Sequence, residues 1–177
     1  MRTTTMEDEL AEIRGRIDRL RALEQAAATA ERTRIRRHLN ALQQEEASVR
    51  DAVRAAPDEV EQKLGQLRTR LYVAEHSLAA DLSHDWETFA VAVEAELLRW
   101  DDYLERLQTS VAEKAWKARE QAEAAIGDVR SRRIEVDERL AQARNGVGDR
   151  TEDARKRVTA ARDTLEQQAD ELSAKLG

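Results

Sequence analysis

Apolar residues recur along the middle of this chain at a spacing of eleven. One lane runs Val49, Val60, Leu71, Leu82, Val93, Leu104, Ala115 and Ile126. A second, seven residues further on, holds Ala56, Leu67, Leu78, Phe89, Trp100, Val111 and Ala122, and neither lane has a polar member. A third lane is weaker: Val53, Leu64, Trp86 and Leu97 share it with Glu75, Gln108 and Arg119, whose preceding neighbours Ala74, Leu107 and Ala118 are apolar. Eleven residues in three helical turns is about 3.67 per turn, so such lanes stay in line along a straight helix. The unbroken phase predicts one helix from about residue 57 to about residue 144, roughly 130 Å long at 1.5 Å per residue.

Shorter segments flank it. Leu10, Ile13, Ile17 and Leu20, at 3-4-3 spacing, open a first helix from Met6 to about Ala55. It continues through a weakly specified patch, Ala26, Ala27, Ala28 and Ala30, to Ile35, Leu39 and Leu42. Ala143, Ala154, Leu165 and Leu176, with Val147, Val158 and Ala169, carry the period into a last helix at 150–176. Between segments, Ala56-Pro57-Asp58-Glu59 reads as a helix start, because Pro spares an amide the first turn leaves unpaired and acids favour the positive end of the dipole. Asn145-Gly146-Val147-Gly148-Asp149 reads as a turn, with Asp149 or Thr151 as the next N-cap. Ser83 is a weaker candidate cap, and a loop there should break the phase.

The predicted architecture is one all-α domain over 1–177, with helices at 6–55, 57–144 and 150–176. It is an elongated antiparallel helical bundle or coiled coil around one very long central helix. Alternatives are a compact four-helix bundle with a turn near Ser83 and an open rod that dimerises. Reversals at Pro57 and Gly146 lay the outer helices along the central one. They also bring Arg32, Arg34, Arg36 and Arg37 near an acidic zone, residues 75–105, where nine Asp and Glu face one Arg, Arg99.

Composition agrees with helix. Gly and Pro number 6 and 1 in 177 residues, too few for turn-rich β folds. Aromatics at 3% and charged residues at 37% imply thin packing. Zero Cys excludes disulfides and thiolate chemistry. A net charge of -6 disfavours nucleic acid, and no run approaches the roughly 18 apolar residues of a membrane span, so a cytoplasmic location is expected.

Candidate chemistry is sparse. Asp81-x-x-His84 has the spacing that carboxylate-bridged metal bundles use in pairs, but it occurs once, and His38 stands apart from it. Pairs such as Glu45-Glu46 and Asp101-Asp102 have no pocket to shift a pKa. No catalytic residue, metal or cofactor is therefore expected. The aromatics Trp86, Phe89, Trp100 and Tyr103 lie in the acidic zone, with Tyr72 before it and Trp116 after. Leu71, Leu78, Leu82, Trp86, Phe89, Val93, Trp100 and Leu104 form an apolar stripe, read as a helix-helix seam of which part is left open for a partner helix. The expected function is a non-enzymatic helical scaffold or protein-protein interaction module that self-associates. Its expected partners are itself or other helical proteins, with no nucleic acid and no small-molecule substrate. The alternative is a reversible amphipathic coat on a lipid surface, as in apolipoprotein-like chains, with which only the period is shared.

Overall fold

The computed structural model describes residues 6–112, 116–146 and 152–176, with the side chains of Ala30, Trp116, Lys117 and Leu176 outside that description. The regular elements are helices throughout: α1 (Met6–Ala26), α2 (Thr29–Ala55), a short 3-10 turn (Pro57–Glu59), α3 (Val60–Leu82), α4 (Trp86–Ala112), α5 (Trp116–Asn145) and α6 (Glu152–Leu176). Cross-helix ion pairs fix their directions. Arg16 with Glu75 and Arg68 with Glu9 align α1 parallel to α3, while Arg14 with Glu46 and Arg36 with Glu24 set α2 antiparallel to α1. Arg133 with Asp101 and Arg144 with Glu94 make α5 antiparallel to α4. Successive helices thus alternate up and down. The last, α6, lies against α2, α3 and α4 through Arg34–Asp163, Arg70–Asp170 and Arg162–Glu96.

The expected helix at 57–144 is not formed. That span holds three helices, and the longest in the bundle, α5, has 30 residues. The first break is at Ser83-His84-Asp85. Ser83 leaves helical geometry at φ -66° and ψ 139°, and Asp85, not Ser83, caps the next helix. One Asp85 oxygen accepts the Thr88 amide at 2.8 Å, the other accepts the Thr88 hydroxyl at 2.8 Å, and these bonds hold its carboxyl below the ordinary range. The eleven-residue phase survives because a three-residue turn consumes nearly one helical turn of sequence. Among the described members of the two unbroken lanes, Leu82 is the one left exposed, at 47%. The second break falls between Ala112 and Trp116, across which the chain reverses; Ala115 lies outside the described residues.

The first expected helix, 6–55, is also two. Its alanine patch contains the break, and arginine seals it: Arg32 donates to the carbonyls of Glu24 and Ala27 at 3.2 and 2.9 Å, taking up acceptors that α1 leaves open, while Glu31 accepts the Ala28 amide at 3.1 Å. The reversal expected at Pro57 is present, with the Ala56 amide bonded to the Ala52 carbonyl at 2.9 Å. At the other end Gly146 closes α5 by donating to Gln142 at 3.0 Å. Val147, Asp149 and Thr151 lie outside the described residues.

Two apolar clusters form the interior. One joins Ile13, Ile17 and Leu20 of α1, Ile35, Leu39, Leu42 and Val49 of α2, and Leu64, Leu67, Leu71, Ala74 and Leu78 of α3. The other joins Phe89, Val93, Leu97, Trp100 and Leu104 of α4 to α5 and α6, with Val73 and Ala80 of α3 completing it. Thus α3 serves both, and the polar residues described next lie where they meet.

Candidate functional site

Six of the eight stripe residues point inward. Leu71, Leu78, Phe89, Val93, Trp100 and Leu104 are between 0% and 7% exposed. Trp86 is half-buried against the second cluster, its ring 5.6 Å from that of Phe89, and only Leu82 is open. The chain's own helices cover most of the surface that sequence suggested for a partner. Tyr72 lies half-buried between two arginines, with the guanidinium carbons of Arg16 and Arg99 at 4.5 and 5.1 Å from its ring centre.

The feature the sequence did not disclose is a lattice of buried ions where the two clusters meet. Arg162 of α6, at 0% exposure, stands at its centre. Its Nε and Nη2 reach Glu96 Oε2 of α4 at 2.8 and 2.7 Å, and its Nη1 reaches Asp81 of α3 at 3.1 Å. Its Nη2 also donates to the carbonyl and hydroxyl of Ser77 at 3.1 and 2.8 Å. The Ser77 hydroxyl in turn donates to Glu166 at 2.8 Å. From α2, His38 Nε2 lies 3.2 Å from Glu166 and Arg37 lies 3.6 Å from it, while Arg34 pairs with both Asp81 and Asp163. A guanidinium fork suits such multivalent sites better than an ammonium, and arginine, not lysine, fills each cationic position of the lattice.

The lattice splits its two buried glutamates. Burial raises the Glu96 carboxyl, and the nearby Glu166 adds to the rise, so that Arg162 does not restore it to the ordinary range. Burial pushes Glu166 the same way, but His38, Arg162 and Arg34 outweigh it and hold this carboxyl well below the ordinary range. Toward the other end Arg70, buried at 1%, stacks 4.6 Å from the Trp100 ring centre and pairs with Asp170. Next to it the buried Tyr103 hydroxyl contacts Glu45 at 2.6 Å and Ser173 at 2.7 Å. Burial and Glu45 keep that phenol protonated.

The other sequence candidates separate. Asp81 belongs to the lattice, whereas His84 is exposed in the α3–α4 turn, so their spacing does not make a shared face. Among the described residues no group of three or more His, Asp or Glu is placed to hold a metal. The basic run divides: Arg34 meets Asp81 of the acidic zone, Arg37 turns to α6, Arg36 pairs with Glu24 and Arg32 seals α1. Arg155 does for α3 what Arg32 does for α1, donating to the carbonyls of Ala80 and Ser83 at 3.2 and 2.7 Å. What the arrangement achieves is cohesion, since its ion pairs tie α2, α3, α4 and α6 together. Outside, α1 and α3 leave an apolar groove of about 340 Å³ floored by Leu20, Leu23, Leu78 and Leu82, with Arg19 and Glu75 on its rim. Comparison with protein-family models, curated proteins and solved structures finds no match to this chain.

Proposed function

We propose that this chain is a non-enzymatic helical interaction module that pairs with a second copy of itself through the groove between α1 and α3. The observation that carries the reading is the groove's apolar floor, with Leu23 42% and Leu82 47% exposed side by side on a bundle whose other leucines are mostly buried. Its rim suits a two-fold pairing. Arg19 carries no ion pair among the described residues, and Glu75, held by Arg16 of its own chain, is 35% exposed beside it, so a rim of both signs surrounds the groove. The lattice supports a non-catalytic role, because its carboxylates are bound to arginines and the space among Leu20, Ile35, His38 and Leu78 is too small for a water molecule.

The test is mass against concentration by light scattering, for the wild type and for Leu23→Arg and Leu82→Arg. The reading expects a wild-type dimer and monomeric variants of unchanged helicity. A wild type that stays monomeric across the range would overturn it. Wild-type flotation with anionic vesicles, lost in the same variants, would move the groove to a lipid partner and also refute self-pairing.

A further inference from the structure

Away from both the lattice and the α1–α3 groove, a cavity of about 300 Å³ opens between α2, α3, α4 and α6. Beside Leu107 and Ala174, polar side chains line it: Glu45 and Ser48 of α2, Lys63 and Gln66 of α3, Ser110 of α4 and Ser173 of α6. Gln66 is 3% exposed, yet its amide makes no hydrogen bond within the described residues. A primary amide can make up to four, and this one, facing the cavity, takes its partners from whatever fills it. Ser48 and Ser110 likewise bond to nothing among the described residues. Among the described residues, half-buried Lys63 pairs with no carboxylate, and Glu45, which accepts the Tyr103 hydroxyl at 2.6 Å, pairs with no cation. One positive and one negative group therefore line the same cavity without meeting each other.

We infer that this cavity binds a small zwitterion of amino-acid size. The ligand's carboxylate faces Lys63, its ammonium faces Glu45, and Gln66 with the serine hydroxyls bonds the polar groups between them. A lone anion leaves Glu45 unmatched and a lone cation leaves Lys63 unmatched, whereas a zwitterion satisfies both without changing the site's net charge. At about 30 Å³ per water molecule the cavity holds roughly ten waters, ample for an amino acid with a short side chain. Leu107 and Ala174 provide the apolar wall against which that side chain packs. Tyr103, anchored between Glu45 and Ser173, holds the carboxylate in place from below. The inference is independent of self-pairing, which uses another face.

The test titrates L-serine and L-glutamine into the full chain by calorimetry, with the Gln66 side-chain amide followed by NMR. Inorganic phosphate, ethylamine and glycerol serve as anion, cation and hydroxyl controls. The inference expects saturable binding of at least one amino acid at millimolar concentration or tighter, a shift of the Gln66 amide resonances, and no comparable response to the controls. Lys63→Met and Gln66→Leu should weaken binding tenfold or more while each variant keeps wild-type helicity. A chain that gives neither heat nor amide shift with either amino acid overturns it, and so do equal responses to glycerol or phosphate. If a variant fails to fold, the wild-type amide shift alone decides.

Discussion

Replacing Arg162 by Met tests the lattice at its centre. The substitution keeps an unbranched side chain in an interior position and removes the cation that Glu96, Asp81 and Ser77 share. Asp81 retains Arg34 and Glu166 retains His38 and Arg37, so the unpaired group left behind is Glu96, at 0% exposure. Breaking a buried pair from one side costs about 3–5 kcal/mol. For a chain of this size each kcal/mol moves the melting temperature by about 2–4 °C, so the variant should melt roughly 10 °C below wild type. The loss also has a pH signature. Burial already raises the Glu96 carboxyl, and without Arg162 it rises further; a group raised on folding contributes stability at low pH and loses it as pH climbs through the folded value. The deficit should therefore be larger at pH 7 than at pH 5, and adding Glu96→Gln to Arg162→Met should recover much of it. Urea unfolding followed by circular dichroism at both pH values gives the numbers. A deficit under about 1 kcal/mol, typical of exposed pairs, would refute the view that these ions are enclosed.

Glu166 has the opposite sign. Held below its ordinary value of 4.5, it stabilises the fold above that pH and loses the contribution as acid protonates it, so wild-type stability should fall on acidification through that region and Glu166→Gln should flatten the slope. This is read from urea midpoints between pH 3 and pH 7. Asp85→Ala should lower the melting temperature and Asp85→Asn should not, because Asn can still accept the Thr88 amide. Gly15→Ala and Gly127→Ala, both inside helices with nothing within 4 Å of an added Cβ, should each stabilise the chain by about 0.5–1 kcal/mol in the same assay.

The helical class and the inward faces were legible because they depend on a period, and a period is local. Leu71, Leu78, Phe89, Val93, Trp100 and Leu104 are buried as their spacing required. Turns were legible only where a residue with special backbone chemistry marked them, at Pro57 and Gly146. The turn at Ser83–Asp85 carries neither Gly nor Pro, and its length nearly equals one helical turn, so the lanes passed through it with little change of phase. Asp85 was the available signal, an N-cap residue with Thr88 three positions on, but Ser83 drew the assignment. The alanine patch near residue 27 hid the α1–α2 break for a different reason: alanine favours helix everywhere, and Arg32, which closes the end of α1, lies five residues beyond Ala27.

The lattice was illegible because an apolar scan assigns every charge to the solvated face. Yet its members sit on inward arcs. Arg162 and Glu166 fall among Val158, Ala161, Leu165, Ala169 and Leu172, Glu96 lies between Val93 and Trp100, and His38 lies between Ile35 and Leu42. On each helix the 3–4 spacing runs through the charged residue, and on a face otherwise bounded by buried groups that residue has no route to water except along the seam. A charge in that position must find its counter-ion on a facing helix, and three helices carrying such charges need one another. Inward charges of opposite sign on α4 and α6, with His38 on α2, therefore imply contact among those three helices. A single central rod with reversals at Pro57 and Gly146 lays residue 38 beside about residue 75 and residue 162 beside about residue 132, roughly 50 Å along the helix from residue 96, so the three charges do not meet there. The up-down bundle meets that requirement, and it does so by breaking the chain where the hydrophobic period alone gave no reason to break it.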